Sequence, residues 1–401
     1  MGSAPPPLAG VRVVEVGNFM AVPFCGMQLA DLGAEVIKVE NPPGGDLTRS
    51  TGPFLDGESS NFVRLNRNKR SVALDLKAAD GKALFRRLAA SADVVIENLR
   101  PGTMDGLGLG YAALASESPA LIYLAATGFG NDGPYAQLAG LDIIAQAMSG
   151  LMSITGEPNA PPVKVGVPIA DLTTALYATI AVLAALRARD RDGRGQFIDV
   201  SLFESAVSFA VWEAGRYFAT GEVPKPSGSA HQAIAPYQAV RSADGWFTFG
   251  ANTQGHWIRC CAIFGLERLT SDPRFVNNDD RMANRGALIA EIEAVTTTQS
   301  SAHWTERLNE AGIPAGPILT FDRVFGDPHL AARNFFVEAK HPTLGEVRQL
   351  GSPLRFSETP VRIERAGPLL GADSADVLRG IGVTDDELAR LTGDGVIAVP
   401  A

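Results

Sequence analysis

The sequence predicts an α/β fold: a large domain with a mostly parallel, doubly wound sheet, and a smaller α+β domain. In the first 126 residues, β-branched runs such as VRVVEV and EVIKVE alternate with segments of helical apolar spacing. This alternation is typical of successive βα units, in which helices cover both faces of a parallel sheet. The segment GEVPKPSGSA at 221–230 then ends the pattern, and its proline, glycine and serine content indicates a linker between domains.

The elements of the large domain follow from this alternation in chain order. Strands are expected at 11–16, 35–40, 71–76, 93–98, 120–126 and 196–200. Helices are expected at 24–32, 81–92, 143–150, 172–189 and 201–220, with a short helix near Tyr111. The helices at 143–150 and 172–189 are apolar on more than one face, so we expect both to be buried.

The small domain is expected to begin after the linker. The runs at 237–241 and 246–250 flank Ser-Ala-Asp-Gly, which is a hairpin signal. Helices follow at 256–264, 285–295 and 303–311, then a second hairpin at 337–348 and short helices at 375–378 and 386–391. We therefore expect residues 1–220 to form the first part of the large domain, 221–325 the small domain with its linkers, and 326–401 a return to the large domain.

Composition argues against several classes of function. Lys and Arg total 35 against 44 Asp and Glu, a formal net charge of −9, whereas a general nucleic-acid binder is usually basic. The 3 cysteines cannot pair evenly and the 5 histidines form no HExxH motif, so no disulfide framework or metal site is expected. The N-terminus lacks signal-peptide features, and the longest apolar stretch, 175–186, is shorter than the roughly 18 residues that span a bilayer. We expect a cytoplasmic protein that binds neither nucleic acid nor membrane.

The loop after the first strand lies where a dinucleotide-binding fold carries GxGxxG. Here it reads GNFMAVP, in which Gly17 is the one glycine, and Glu40 ends the second strand. Dinucleotide-binding folds place a ribose-binding acid near the position of Glu40. Because the glycines that admit a pyrophosphate are missing, nicotinamide binding is disfavoured, and Glu40 is more simply a solvated strand end.

A basic cluster precedes the third strand. The segment NRNKR at 66–70 contains three cations, and Lys77 follows the strand. Clusters of this kind are usually solvated surface. The functional alternative is an anchor for phosphate groups, which accept hydrogen bonds from lysine and arginine.

Two aspartates stand at the starts of predicted helices. Asp171, in GVPIADLTT, precedes the long apolar helix, and Asp142, in AGLD, opens the helix before it. Asp171 is either an N-cap that accepts hydrogen bonds from free amides or a partly desolvated carboxylate suited to nucleophilic attack. The same ambiguity holds for Asp142, and two adjacent carboxylates can divide nucleophilic and acid–base work.

Seven ordered motifs resemble the class III coenzyme A transferase family, which includes formyl-CoA and carnitine CoA-transferases and, as a sister branch, α-methylacyl-CoA racemases. They run over essentially the whole chain: PLAGVRVVEVG, LADLGAEVIKVE, NRNKRSVALDLK, DVVIENLRPGTMDGLGLGY, GPYAQLAGLD, VPIADLTTALYA and DGRGQFIDVSLFES. The resemblance implies a Rossmann-like large domain, a small domain and an interlocked homodimer. It also implies covalent catalysis in which Asp171 attacks an acyl-CoA and then carries CoA as an aspartyl thioester. Coenzyme A would be a co-substrate, with no permanently bound cofactor.

The resemblance also implies positions that contact coenzyme A. The matching residues are Phe19, Met20, Ala21, Leu74, Lys77, Asn98 and Leu99. Two family cations are absent, because Asn41 follows the second strand and Gly106 replaces an arginine near the fourth. Arg100 is the candidate stand-in for that arginine.

The reaction and the substrate are narrowed by two further segments. The racemase branch carries Gly-His-Asp, with a histidine that moves the α-proton, whereas this chain has Leu141 before Asp142, and leucine moves no proton. The stretch GSAHQAIAPYQAV resembles the branch that acts on succinyl-CoA and short dicarboxylates. This implies that His231 and Tyr237 either contact the distal carboxylate of the substrate or line the mouth of the site. The alternatives are a 2-methylacyl-CoA racemase or epimerase and a non-catalytic CoA-binding protein.

Overall fold

The structure is a computed structural model that describes residues 4–399. Its strands, in chain order, are β1 (Arg12–Val16), β2 (Glu35–Glu40), β3 (Phe54–Leu55), β4 (Glu58–Ser59), β5 (Arg70–Leu74), β6 (Val94–Glu97), β7 (Ile122–Thr127), β8 (Phe197–Ser201), β9 (Tyr237–Ser242), β10 (Gly245–Gly250), β11 (Ala315–Pro317), β12 (Phe336–His341), β13 (Gly345–Leu350) and β14 (Ile397–Ala398).

The helices connect these strands. They are α1 (Ala21–Asp31), α2 (Ser60–Leu65), α3 (Ala79–Ala90), α4 (Thr103–Gly106), α5 (Tyr111–Glu117), α6 (Asp142–Met148), α7 (Leu151–Ile154), α8 (Ile169–Asp192), α9 (Leu202–Ser208), α10 (Val211–Thr220), α11 (Gln254–Phe264), α12 (Asn278–Ala283), α13 (Arg285–Thr296), α14 (Ser301–Glu310), α15 (Phe321–Val324), α16 (Pro328–Ala332), α17 (Ser374–Gly380) and α18 (Asp385–Gly393). Two 3₁₀ turns lie at Leu47–Ser50 and Glu267–Thr270.

A seven-stranded sheet organises the large unit, in the order β14-β5-β2-β1-β6-β7-β8. All neighbours are parallel except β14, which pairs antiparallel with β5. The chain builds outward from β1 through β2 to β5 and then returns to the other side of β1 with β6. The doubly wound sheet predicted from the sequence is thereby confirmed, and its topological switch point lies between β1 and β6.

Alternate residues of a strand point to opposite faces of the sheet, so this sheet has an apolar surface on each face. Helices cover both surfaces. Val14 contributes to an apolar cluster with side chains of α3, α5, α17 and α18. Its neighbour Val13 contributes to the opposite cluster, with side chains of α1 and α8. Full burial of one such side chain contributes roughly 1.5–3 kcal/mol.

A buried ion network crosses the sheet beside β1. The Lys38 ammonium lies 2.8 Å from Glu15 Oε1 and 2.8 Å from Asp46 Oδ2, and Lys69 lies 2.8 Å from Glu15 Oε2. The Glu15 carboxylate fits against α1 only because position 26 is glycine: a Cβ on Gly26 would lie 1.9 Å from Glu15 Oε2. The network therefore connects β1 and β2 with the loop after β2, which carries Asp46, and with the segment before β5, which carries Lys69.

Two expectations about charged residues are wrong. The cluster at 66–70 is neither solvated nor free to bind phosphate, since Arg67 bonds to Asp31 at 2.6 Å and Lys69 belongs to the buried network. Glu40 is buried, not solvated, and accepts two hydrogen bonds from Arg49 at 2.7 and 2.8 Å. Charges that look unpaired along the chain meet their counterions on neighbouring elements.

The chain divides into two compact units. Unit 1 comprises residues up to 151, residues 164–219 and residues from 329 onward, and unit 2 comprises residues 152–163 and 220–328. The segment 152–163 thus groups with unit 2, which the linker pattern alone does not indicate. Within unit 2, the sheet β11-β10-β9 and helices α11, α13 and α14 enclose an apolar core around Trp257 and Phe264.

Two helix predictions differ from the structure. The single helix expected at 201–220 is interrupted between α9 and α10. The helix expected to be buried at 143–150 is α6, whose buried residues are Ala145 and Gln146, while Ile143 is exposed. Among residues 4–399, α8 is the one helix long and apolar enough to cross a membrane by length and composition, and 50% of its most apolar stretch is buried.

Candidate active site

Asp171 is the third residue of α8 and does not cap it. The N-cap residue is Pro168, and no side chain on the cap accepts a hydrogen bond from the helix. The N-cap interpretation of Asp171 is therefore wrong. Its carboxylate stands in the first turn, where free amides and the helix dipole favour negative charge.

The cap of α8 comes from another helix. Asp142, at the start of α6, accepts hydrogen bonds at Oδ1 from the amides of Ala170 (2.9 Å) and Asp171 (3.4 Å). Its Oδ2 accepts a hydrogen bond from Gln146 Nε2 at 2.7 Å. Asp142 thus satisfies orphan amides of the long helix and brings a second carboxylate next to Asp171.

A close backbone crossing fixes the segment that leads into Asp142. Gly128 follows β7 and Gly140 stands two residues before Asp142, and a Cβ on Gly140 would lie 2.3 Å from Gly128 Cα. Real side chains never approach a backbone this closely, so both positions require glycine. The crossing fixes the start of α6 against the carboxyl end of the core strand β7.

The electrostatic environment of Asp171 favours its protonated form. Burial, and secondly the negative charge of Asp142, raises the pKa of Asp171 from 3.8 to about 7. Near neutral pH a substantial fraction of the Asp171 side chain is then ionised while remaining partly desolvated. A carboxylate in that state is a stronger nucleophile than one in water.

A second locus lies at the switch point of the sheet. Asn18, in the loop after β1, donates its amide hydrogen to Asn98 Oδ1 at 3.0 Å, and Asn98 Nδ2 donates back to the Asn18 carbonyl at 2.9 Å. Phe19 has a left-handed φ of +60° and is half exposed. Lys38 Nζ restrains the same loop by donating a 2.7 Å hydrogen bond to the Gly17 carbonyl. Ligands of doubly wound sheets bind in such a crevice.

The structure brings together some of the sequence-predicted residues. Those that adjoin the switch point follow β1 or β6 directly: Phe19, Met20, Ala21, Asn98, Leu99 and Arg100. Leu74 ends β5 and Lys77 lies three residues after it, with β2 between β5 and β1. The Leu74 side chain is buried in the apolar core, whereas Lys77 is exposed.

His231 and Tyr237 belong to unit 2, where their rings stack with centroids 4.9 Å apart. The His231 amide donates to the Tyr237 carbonyl at 2.9 Å, and Arg285 Nη2 donates to the His231 carbonyl at 2.6 Å. These contacts hold the segment 231–237 in one conformation. Among residues 4–399, no group of three or more His, Cys, Asp or Glu side chains is arranged to hold a metal ion.

Comparison with known proteins identifies the family. The sequence model of CoA-transferase family III matches residues 8–374. The chain belongs to this family.

Relatives of this CoA-transferase family member cover almost its whole length. The succinate–glutarate CoA-transferase of Agrobacterium fabrum is 40% identical, with 94% of this chain and 96% of that protein aligned. The succinyl-CoA–D-citramalate CoA-transferase of Chloroflexus aurantiacus is 38% identical, with 98% of each chain aligned. Among solved structures, a CAIB/BAIF family protein from Brucella suis has a TM-score of 0.86 and 40% identity, covering 94% of this chain and all of that one (100%).

Sequence reasoning on this family member missed several residues around the site. Gln146 is completely buried beside Asp142, and the only sequence signal was its spacing four residues after Asp142 on one helix face. Glu97 ends the buried strand β6, and burial raises its pKa to about 7. A carboxylate that ends an apolar run, as in DVVIE, is a signal for such a group. The Gly128–Gly140 crossing carried no recognisable motif.

Proposed function

We propose that this enzyme transfers coenzyme A from succinyl-CoA to a short dicarboxylate, with Asp171 as the nucleophile. The observation that carries the proposal is the partly desolvated Asp171 carboxyl, with its pKa raised to about 7, in the first turn of α8. The names of the aligned relatives, which specify glutarate and D-citramalate as acceptors, support the substrate class.

The first half of the reaction loads the enzyme with CoA. The Asp171 carboxylate attacks the thioester carbonyl of succinyl-CoA, the C–S bond breaks, and a mixed anhydride forms as CoA thiolate leaves. The thiolate then attacks the aspartyl carbonyl of the anhydride. Succinate departs as a carboxylate, and CoA remains bound to Asp171 as a thioester.

The second half repeats these steps in reverse with the acceptor. One carboxylate of the acceptor attacks the Asp171 thioester, thiolate leaves, and a second mixed anhydride forms. The thiolate attacks the acceptor's acyl carbon, which releases the new acyl-CoA and regenerates the Asp171 carboxylate. Exclusion of water protects both anhydrides from hydrolysis.

Coenzyme A is proposed to occupy the switch-point crevice. Phe19, Met20 and Ala21 border it on the β1 side. Asn98, Leu99 and Arg100 border it on the β6 side, and Lys77 supplies a cation after β5. The Leu74 side chain lies in the core, so its contact with CoA would be through main-chain atoms. His231 and Tyr237 are proposed to contact the acceptor's distal carboxylate.

A second copy of the chain is proposed to cover an apolar surface of unit 1. On α8, Leu176, Tyr177 and Ile180 are exposed, and on α10 Trp212 is 62% and Phe218 82% exposed. A surface this apolar is typical of an interface. We propose an interlocked homodimer located in the cytoplasm, where three free, buried cysteines stay reduced.

The proposal is tested by a transfer assay. Succinyl-CoA is incubated with glutarate, citramalate, mesaconate, itaconate, malate, oxalate or acetate, and the CoA esters are separated by chromatography. We expect dicarboxylate esters from the wild-type protein and none from Asp171→Asn. Asp80→Asn is a matched control, since Asp80 also lies in a first helical turn but is half exposed and pairs with Arg390 at 2.8 Å. Transfer by Asp171→Asn at the wild-type rate would overturn the proposal.

A further inference from the structure

Gln146 is a completely buried amide with both polar atoms in use. Its Nε2 donates to Asp142 Oδ2 at 2.7 Å, and its Oε1 accepts from the Val165 amide at 2.9 Å. The reverse orientation would face Oε1 with a carboxylate oxygen and Nε2 with an N–H, so one orientation alone satisfies both partners. The Gln146 amide is therefore fixed in one orientation, with its donor towards Asp142 and its acceptor towards Val165.

One of those neighbours is the carboxylate that caps α8. Asp142 Oδ1 accepts from the amides of Ala170 and Asp171, while Oδ2 accepts from Gln146. Helix amides thus hold one oxygen and the Gln146 side chain holds the other. Without Gln146, the carboxylate could rotate about the contact at Oδ1.

The other neighbour lies on the segment that enters α8. Val165 precedes the N-cap Pro168 by three residues and belongs to the same unit as Gln146. One side chain therefore restrains both the anion next to Asp171 and the backbone on which Asp171 is carried. A displacement of about 1 Å at a reacting group is enough to slow a reaction by roughly 100-fold.

We infer that Gln146 is a positioning residue of the transferase: its amide fixes the Asp142 carboxylate against the N-terminus of α8 and so aligns Asp171 with the acyl-CoA thioester. This inference rests on the proposed function. Gln146 contacts no substrate in this scheme and acts through Asp142 and Val165.

The charges that face this group are few. Asp171 lies on α8, and Asp142 on the same helix as Gln146. From α9, Glu204 is exposed and bonds to Ser201. In the segment before α8, Lys164 is exposed and donates to the Val165 carbonyl at 3.2 Å. The charge of a new ionisable group at position 146 would therefore interact most strongly with the carboxylates of Asp142 and Asp171.

The first test replaces the amide with an apolar side chain of similar length. Gln146→Met should lower kcat by roughly 10- to 100-fold while the KM for succinyl-CoA changes by less than about threefold. Gln349→Met is the matched control, because Gln349 is also buried but donates to the Val63 carbonyl. The inference fails if both variants have the same kcat, or if Gln146→Met changes only KM.

The second test uses a near-isosteric acid. The protonated carboxyl of Gln146→Glu can donate to Asp142 and accept from Val165, whereas its ionised form has no donor and repels Asp142. We expect a bell-shaped pH profile of kcat, against a wild-type profile that rises through about 7 as Asp171 ionises and then levels. Superimposable profiles would refute the positioning role. If Asp171→Asn retained transfer, the proposed function itself would fail.

Discussion

Replacement of Asp171 by Asn should stabilise the folded protein at alkaline pH while removing its activity. Burial, and then the charge of Asp142, raises the pKa of Asp171 from 3.8 to about 7 in the folded state. The folded protein therefore binds this proton more tightly than the unfolded chain does. Its contribution to the free energy of unfolding is complete below pH 3.8 and is lost as the pH rises to about 7.

The size of the effect follows from the shift in pKa. A rise from 3.8 to about 7, at about 1.36 kcal/mol per unit, gives an upper limit of about 4 kcal/mol. Asp171 is only partly buried, and solvent screening reduces the expected effect to about 1–2 kcal/mol. At pH 8, Asp171→Asn should exceed the wild type in stability by that amount, and at pH 4 the two should be equal.

Urea denaturation at pH 4 and pH 8 measures this difference directly, with Asp80→Asn as the control for loss of a half-exposed first-turn carboxylate. We expect the gain in free energy of unfolding to appear only at pH 8. If Asp171 were instead an ordinary first-turn carboxylate, ionised and stabilised by the helix dipole, its replacement by Asn would lower stability at pH 8 by about 0.3–1 kcal/mol. Lower stability of Asp171→Asn at pH 8 would therefore contradict the raised pKa of Asp171.

Three further predictions concern the scaffold. Gly140→Ala should lower both melting temperature and kcat, because its Cβ would lie 2.3 Å from Gly128 Cα, whereas Gly106→Ala, in open space, should be neutral in a thermal melt. Lys38→Met leaves two buried carboxylates without their shared cation and should cost about 3–5 kcal/mol in urea denaturation, while Lys77→Met, at an exposed position, should change stability little. The three cysteines are buried, and burial raises the pKa of each thiol to about 12. A thiol reagent should therefore label none of them in the native protein and all three after denaturation. Rapid labelling of the native protein would contradict their burial.

The sheet was predictable because its signal is local. Strands such as VRVVEV and EVIKVE are buried on both faces of a parallel sheet, and their high content of valine and isoleucine is typical of such burial. The resemblance of the motifs to the family then indicated Asp171 as the candidate nucleophile. Helix α8 was also expected, although the structure extends it to Ile169–Asp192, because periodicity locates a helix better than its ends.

The parts that escaped prediction depend on contacts between distant segments. Asp142 caps a helix that begins 27 residues later in the chain, at Ile169, and the chain around Asp142 carries no sign of this. The same holds for Arg67, whose counterion Asp31 lies on α1. A basic residue looks alike in sequence whether its partner is a substrate phosphate or a buried carboxylate.

Trapping of the covalent intermediate tests the nucleophile most directly. The protein is incubated with succinyl-CoA alone and quenched with hydroxylamine, which converts an acyl-activated carboxyl into a hydroxamate, and the digest is sequenced by mass spectrometry. We expect the hydroxamate on Asp171, in a quantity that depends on added succinyl-CoA. A hydroxamate on Asp142 or on any other carboxylate, with Asp171 unmodified, would contradict it.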